Sequence, residues 1–262
     1  MTLFRSPRLP GAVAAAVLAA TATLLVTGCA PAAEDGSPAP PASRTPAPSM
    51  TAPSPTTPRT ETEMAAMDSA LYSAAATGDA AAVRTAIEGG ANLETRGAAG
   101  MTPLVAATKE NHVEAARALI EAGADVNAKD DIQDSAYLYA GARGHDEILR
   151  LTLAHGADLA STNRFGGTAL IPASERGLLS TIGILLEAGV DPDHVNDLGW
   201  TALHEAIVLG DGSERYVLAV RALLDSGADP TIPDGNGTAP RDLARQQGYD
   251  AIVAELDNAR PR

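Results

Sequence analysis

Between residues 64 and 262 the apolar positions recur as short stripes, each closed by glycine. Val83, Ala116, Leu149, Ile182, Val220 and Val253 mark one recurrence, and Ile87, Ile120, Leu153, Leu186 and Leu224 follow four residues later in the first five. That spacing puts both side chains on one helical face. The stripes end at Gly90-Ala91, Gly123-Ala124, Gly156-Ala157 and Gly189-Val190, 33 residues apart, and Gly227-Ala228 follows after 38. Thr102, Ser135, Thr168 and Thr201 keep the same step.

The period divides the stretch into units 64–96, 97–129, 130–162, 163–195, 196–233 and 234–262, with Ala74, Ala107, Ala140, Ala173, Ala206 and Ala244 in register at the eleventh position. Each unit predicts a helix, a turn, a second helix and a loop. The first helix opens at Ser or Thr, whose hydroxyl can cap an unpaired backbone N–H; Pro103 follows Thr102 at a position where its missing donor is harmless. The fifteenth position, Gly78, Asn111, Gly144, Gly177, Gly210 and Gly248, predicts a left-handed turn that ends it. One helix pair cannot hide its own stripe. The aligned alanines let neighbouring pairs approach, so the predicted fold is all-α, a solenoid with a continuous core.

The stretches Gly100-Met101-Thr102-Pro103-Leu104, Gly199-Trp200-Thr201-Ala202-Leu203-His204-Glu205-Ala206 and Gly123-Ala124-Asp125-Val126-Asn127 resemble the ankyrin repeat over about 200 residues. The resemblance implies about six helix-pair units with short β-hairpin fingers, and a concave face, made of fingers and first helices, that binds folded proteins. Several departures carry information. The sixth unit has Arg241 where Leu104, Leu170 and Leu203 stand, as suits a solvent-facing cap. Gln133 and Ser135 replace glycine and threonine in the third, which predicts a differently shaped finger. Pro172 removes an early backbone bond from a first helix, and Asp211 to Arg215 insert five residues between the fifth unit's helices.

The segment before the repeats reads as an address and a tether. Arg5 and Arg8 precede an uncharged run, Gly11 to Val26, that meets small residues, the order of a secretory signal over residues 1–28. Leu25-Val26-Thr27-Gly28-Cys29 resembles the bacterial lipobox, which implies cleavage before Cys29 and acylation of its thiol. Two acyl chains anchor a protein stably. Residues 29–63 then carry the lipidated cysteine and a Pro/Ala/Ser/Thr tether; with nine of the chain's 18 prolines it buries too little apolar surface to fold. At about 3.1 Å per residue it reaches roughly 90 Å. The expected location is the cell membrane, lipid-anchored through Cys29 and facing outside the cytoplasm.

Charge and composition then limit the chemistry. A net charge of −14 disfavours nucleic acid, and a single cysteine excludes an internal disulfide framework. His112, His145, His155, His194 and His204 fall at repeat-defined positions with no metal spacing, and no phosphate loop or nucleophile motif occurs. The expectation is a monomeric binding protein with no catalytic residue, cofactor or metal. Alternatives are protection against an extracytoplasmic toxin or hydrolase, or sensing of a small ligand or metal.

The resemblance places candidate contacts on the fingers, Met101, Asp131, Ile132, Arg164, Phe165, Asp197, Leu198 and Trp200, and on first-helix ends, Lys109, Glu110, Arg143, Glu175, Arg176, Val208 and Leu209, with Tyr139 a further candidate on a first helix. Aromatics are 3% of the chain, so Phe165 and Trp200 on adjacent fingers beside Ile132 and Leu198 stand out as anchors for a protein partner on units three to five.

Overall fold

The computed structural model describes residues 59–259. The expected signal segment, Cys29 with its expected acylation, and most of the expected tether lie outside them. Twelve α helices follow one another among the described residues: α1 (Glu61–Thr77), α2 (Ala80–Glu88), α3 (Pro103–Lys109), α4 (Val113–Glu121), α5 (Ala136–Arg143), α6 (Asp146–Ala154), α7 (Leu170–Glu175), α8 (Leu179–Glu187), α9 (Ala202–Val208), α10 (Glu214–Asp225), α11 (Pro240–Gln247) and α12 (Asp250–Asn258). Consecutive helices pair, and the pairs stack: α1, α3, α5, α7, α9 and α11 form one layer, α2, α4, α6, α8, α10 and α12 the other. The core is continuous between the layers. The six aligned alanines are all buried, together with Leu104, Leu149, Leu170, Ile182 and Leu203.

The first helix begins earlier than the period implies. Thr60 and Glu63 form a reciprocal capping box, so α1 starts at Glu61, ahead of residue 64, and runs for 17 residues. The Ser/Thr caps expected on later first helices hold at Thr102, whose hydroxyl accepts from the Val105 N–H, and at Ser135, which accepts from Leu138, each at 3.2 Å. They fail in the sixth pair, where α11 opens at Ala239, and in the fourth. Pro172 has no N–H to offer the Thr168 carbonyl, which takes the Ile171 N–H instead at 3.2 Å, and α7 is shortened to six residues.

The fifth pair departs at its turn. Gly210 does not adopt the left-handed conformation found at Gly78, Asn111, Gly144, Gly177 and Gly248; Gly212, inside the insertion, takes it at φ 70°. A Cβ on Gly210 would collide with the Ala206 carbonyl oxygen and the Tyr216 ring, so the position needs glycine for space and not for a left-handed turn. The insertion also lengthens the second helix, α10, to 12 residues from the nine of α4, α6 and α8.

No strand occurs among the described residues, so where hairpin fingers were expected the chain makes tight turns. Each is closed by one backbone bond of 2.9 Å, from the N–H of Gly97, Asp130, Asn163, Asn196 or Asp234 to the carbonyl four residues on. The third unit's turn keeps the common shape despite Gln133, the residue at its left-handed position. Its φ of 66° matches the 67° of Gly100 and 71° of Gly166, because the Asp130 carboxylate accepts the Ile132 and Asp134 N–H groups at 3.0 and 2.9 Å and holds the loop.

A groove on the finger and first-helix face

These turns are organised from their first residue. Asn163 Oδ1 accepts the N–H groups of Phe165 and Gly167 at 2.9 and 3.1 Å, Asn196 Oδ1 those of Leu198 and Trp200 at 3.0 Å each, and Asp234 Oδ1 those of Asn236 and Thr238 at 2.9 and 2.8 Å. The bonds to the Thr238 and Asn236 amides hold the Asp234 carboxyl below its ordinary value. First helices clamp these bases. Lys109 donates to Asp130 at 2.6 Å, and Asn196 Nδ2 donates to the buried Glu205 at 2.9 Å. The second unit's turn has Gly97 instead; there Arg96 spans from the Gly100 carbonyl to the Lys129 carbonyl, at 2.8 and 2.7 Å.

Neighbouring turns also bond to each other. The Asp131 N–H donates to the Ala99 carbonyl and the Asp197 N–H to the Phe165 carbonyl, at 3.1 and 3.0 Å. The Asp131 and Asp197 side chains lie over Gly100 and Gly166. At the opposite ends of the first helices, the third to sixth pairs each donate to a carbonyl at or just beyond the end of the preceding first helix. His145 donates to Thr108, Arg176 to Ala142, Tyr216 to Glu175 and Tyr249 to Gly210, at 2.7–3.0 Å.

Between these two supports lies a groove of about 610 Å³. Ile132, Phe165, Leu198 and Leu209 line it, 43%, 55%, 61% and 52% exposed. Lys109, Arg143, Arg164 and Arg176 supply cations, and Asp134, Glu175 and Glu205 carboxyls. Tyr139 forms part of the wall, with Lys109 5.4 Å and Arg143 5.7 Å from its ring centre; Arg164 covers the Phe165 ring at 4.6 Å. Burial, with the neighbouring Glu175 charge added, pushes Glu205 up to about 7. Burial likewise raises Asp134, against the pull of Lys109.

The structure therefore brings together Ile132, Arg164, Phe165, Leu198 and Tyr139 of the sequence-derived candidates, and of the first-helix ends all but Glu110 and Val208. It does not bring Met101, Asp131, Asp197 or Trp200 into the groove. Trp200 is half-buried at the end of its turn, and the two aspartates serve the contacts between turns. Sequence reasoning did not find the role of Glu205 or of the turn bases, although Asp130, Asn163, Asn196 and Asp234 recur at the first position of four units. No group of three or more His, Cys, Asp or Glu among the described residues is arranged to hold a metal ion. His204 is buried against Thr201, whose N–H donates to its Nδ1 at 3.0 Å, and burial lowers its basicity.

A family model described as ankyrin repeats (3 copies) matches residues 57–130 and 137–234. The chain belongs to the ankyrin-repeat family. Its fold is similar to the crystal structure of an ankyrin repeat domain from Acinetobacter baumannii AYE, with a TM-score of 0.71 and 52% identity over 73% of this chain and 98% of that one. It is also similar to the ankyrin repeat protein EF0377, with a TM-score of 0.71 and 41% identity over 74% and 98%. In sequence it is 42% identical over 52 residues to the ankyrin repeat protein YahD of Escherichia coli (strain K12), a match spanning 20% of this chain and 26% of that relative's length. Ankyrin repeats generally mediate protein–protein interaction rather than catalysis.

Proposed function

We propose that the chain is a membrane-anchored interaction module of six ankyrin units, whose turns serve as its fingers, acting as a monomer to hold an envelope or secreted protein in the groove. One observation carries this reading: four large apolar side chains from three consecutive units, Ile132, Phe165, Leu198 and Leu209, are exposed in a single groove. Exposed apolar residues scattered singly need no explanation, but a cluster flanked by charged groups is the composition of a binding hot spot. The polar outer surface of the last pair favours a monomer. Its Arg241 pairs with Asp257, and Arg245, Gln246 and Gln247 are exposed beside it.

Affinity capture with the full chain tests the site. The double substitution Phe165→Ala/Leu198→Ala is expected to leave folding intact, because both side chains are more than half exposed, yet to cost at least about 2 kcal/mol of partner binding, roughly thirtyfold. Unchanged capture of the same partner would remove the groove from the account.

The anchor is tested separately. Replacing Cys29 by alanine should abolish metabolic labelling with a fatty acid and move the protein from the membrane to the soluble fraction. A Cys29→Ala protein that stays with the membrane would refute acylation as the anchor.

A further inference from the structure

We propose that the groove takes an extended acidic segment of its partner, with a carboxylate held by the Arg143 and Arg164 guanidiniums and flanking apolar side chains on Phe165 and Leu198. The inference rests on the groove being the docking face and adds the chemistry of what docks there.

Among the groove's four cations two are already engaged. Lys109 lies 2.6 Å from Asp130 and 3.8 Å from Asp134, and Arg176 donates to the Ala142 carbonyl at 2.7 Å. Arg143 and Arg164 are exposed and within ion-pair distance of no carboxylate among the described residues; each lies over an aromatic ring, Tyr139 or Phe165. Stacking occupies the face of a guanidinium and leaves its edge, with the N–H donors in fork geometry, free for a carboxylate. Two of the groove's three acids are turned to internal use, and Glu175 is the third. Glu205 is buried and holds Asn196, while Asp134 faces Lys109. Even with all three carboxyls ionised, the four cations outnumber the anions in the groove of a chain whose net charge is −14.

That contrast also limits the size of the ligand. At physiological salt, charges are screened beyond about 8 Å, so a short acidic segment in the groove feels the two arginines more than the acidic remainder. A broad acidic face would be repelled. Apolar side chains on either side of the carboxylate match Phe165 and Leu198, whose exposed rims continue the same groove.

The test uses the full chain and three fluorescein-labelled peptides of one frame, Gly-Leu-Asp-Leu-Glu-Leu-Gly, its Asn/Gln form and its Lys/Lys form, read by fluorescence anisotropy. The acidic peptide should bind at least about tenfold more tightly than the amide form, and the lysine form more weakly than both. Arg143→Ala/Arg164→Ala should erase that preference without shifting thermal unfolding, and Arg143→Glu/Arg164→Glu should reverse it toward the lysine peptide. Tightest binding of the lysine form, an acidic-peptide affinity unchanged by the double substitutions, or no binding of any peptide up to millimolar concentration would each overturn the inference. Failure here with partner capture still lost in Phe165→Ala/Leu198→Ala removes only the acidic segment. Capture indifferent to Phe165 and Leu198 removes the docking face itself.

Discussion

Gly141→Leu is expected to destabilise the domain by about 3 kcal/mol or more in chemical denaturation, more than any surface change in the stack. Gly141 lies on α5 where the helix meets the start of α7, and a Cβ built there would sit 2.8 Å from the Ala169 Cβ. Ala169 is fully buried, so the neighbour cannot give way without moving a helix. Even Gly141→Ala sets two effects against each other. Alanine gains about 1 kcal/mol of helix propensity, whereas overpacking costs about 1–3 kcal/mol. The contact is shorter than real Cβ atoms tolerate, so overpacking prevails and alanine is expected to destabilise slightly. Gly183 on α8 isolates the first effect: a Cβ there meets nothing within 4 Å. Gly183→Ala should therefore stabilise by up to about 1 kcal/mol. Equal effects at the two glycines would show that the third and fourth pairs are not in close contact.

Glu205→Gln should stabilise the protein at pH 8 by about 2 kcal/mol while changing little at pH 5. The folded-state value of Glu205, about 7, lies above its ordinary 4.5 because burial penalises the carboxylate and Glu175 adds repulsion, against weaker help from Asn196 and Arg176. The folded state therefore keeps a proton that the unfolded chain releases. Stability from this group is full below about 4.5 and is lost as pH rises toward 7, after which a buried charge remains. Glutamine still accepts from Asn196 through its amide oxygen and has no charge to bury. The comparison is thermal unfolding of parent and variant at both pH values. A variant less stable at pH 8 than at pH 5, relative to the parent, would show that Glu205 is ionised and favourably paired.

How much of this was legible in the sequence differs between packing and polar chemistry. The 33-residue step, the aligned alanines and the stripe beginning at Val83 and Leu149 mark buried positions, because only those residue types let helix pairs approach. Polar positions carry no such uniqueness. Asn196 and Asp130 could equally have been solvated turn residues, and only the fold turns their carbonyl or carboxylate oxygen toward two backbone N–H groups. The same holds for His145, Arg176, Tyr216 and Tyr249, which do one job, covering a carbonyl at or just beyond the end of a preceding helix, with three kinds of donor. A shared task performed by unlike residues leaves no repeat signal.

The candidate site was legible to a similar degree. Phe165 and Leu198 stood out as large apolar residues at finger positions, and both line the groove. Trp200 stood out for the same reason, yet it ends its turn half-buried. Its place follows from the closing bond between its carbonyl and the Asn196 N–H, which side-chain rarity could not reveal.

Site-specific photo-crosslinking tests the docking face most directly. A benzophenone amino acid is placed in the full chain at position 165 or 198 in the groove, or at position 150 or 187, exposed on the second helices α6 and α8. The account predicts that positions 165 and 198 crosslink one and the same protein on the cells that produce the chain, and that positions 150 and 187 do not. Crosslinking of that protein from 150 and 187, with none from 165 and 198, would contradict it.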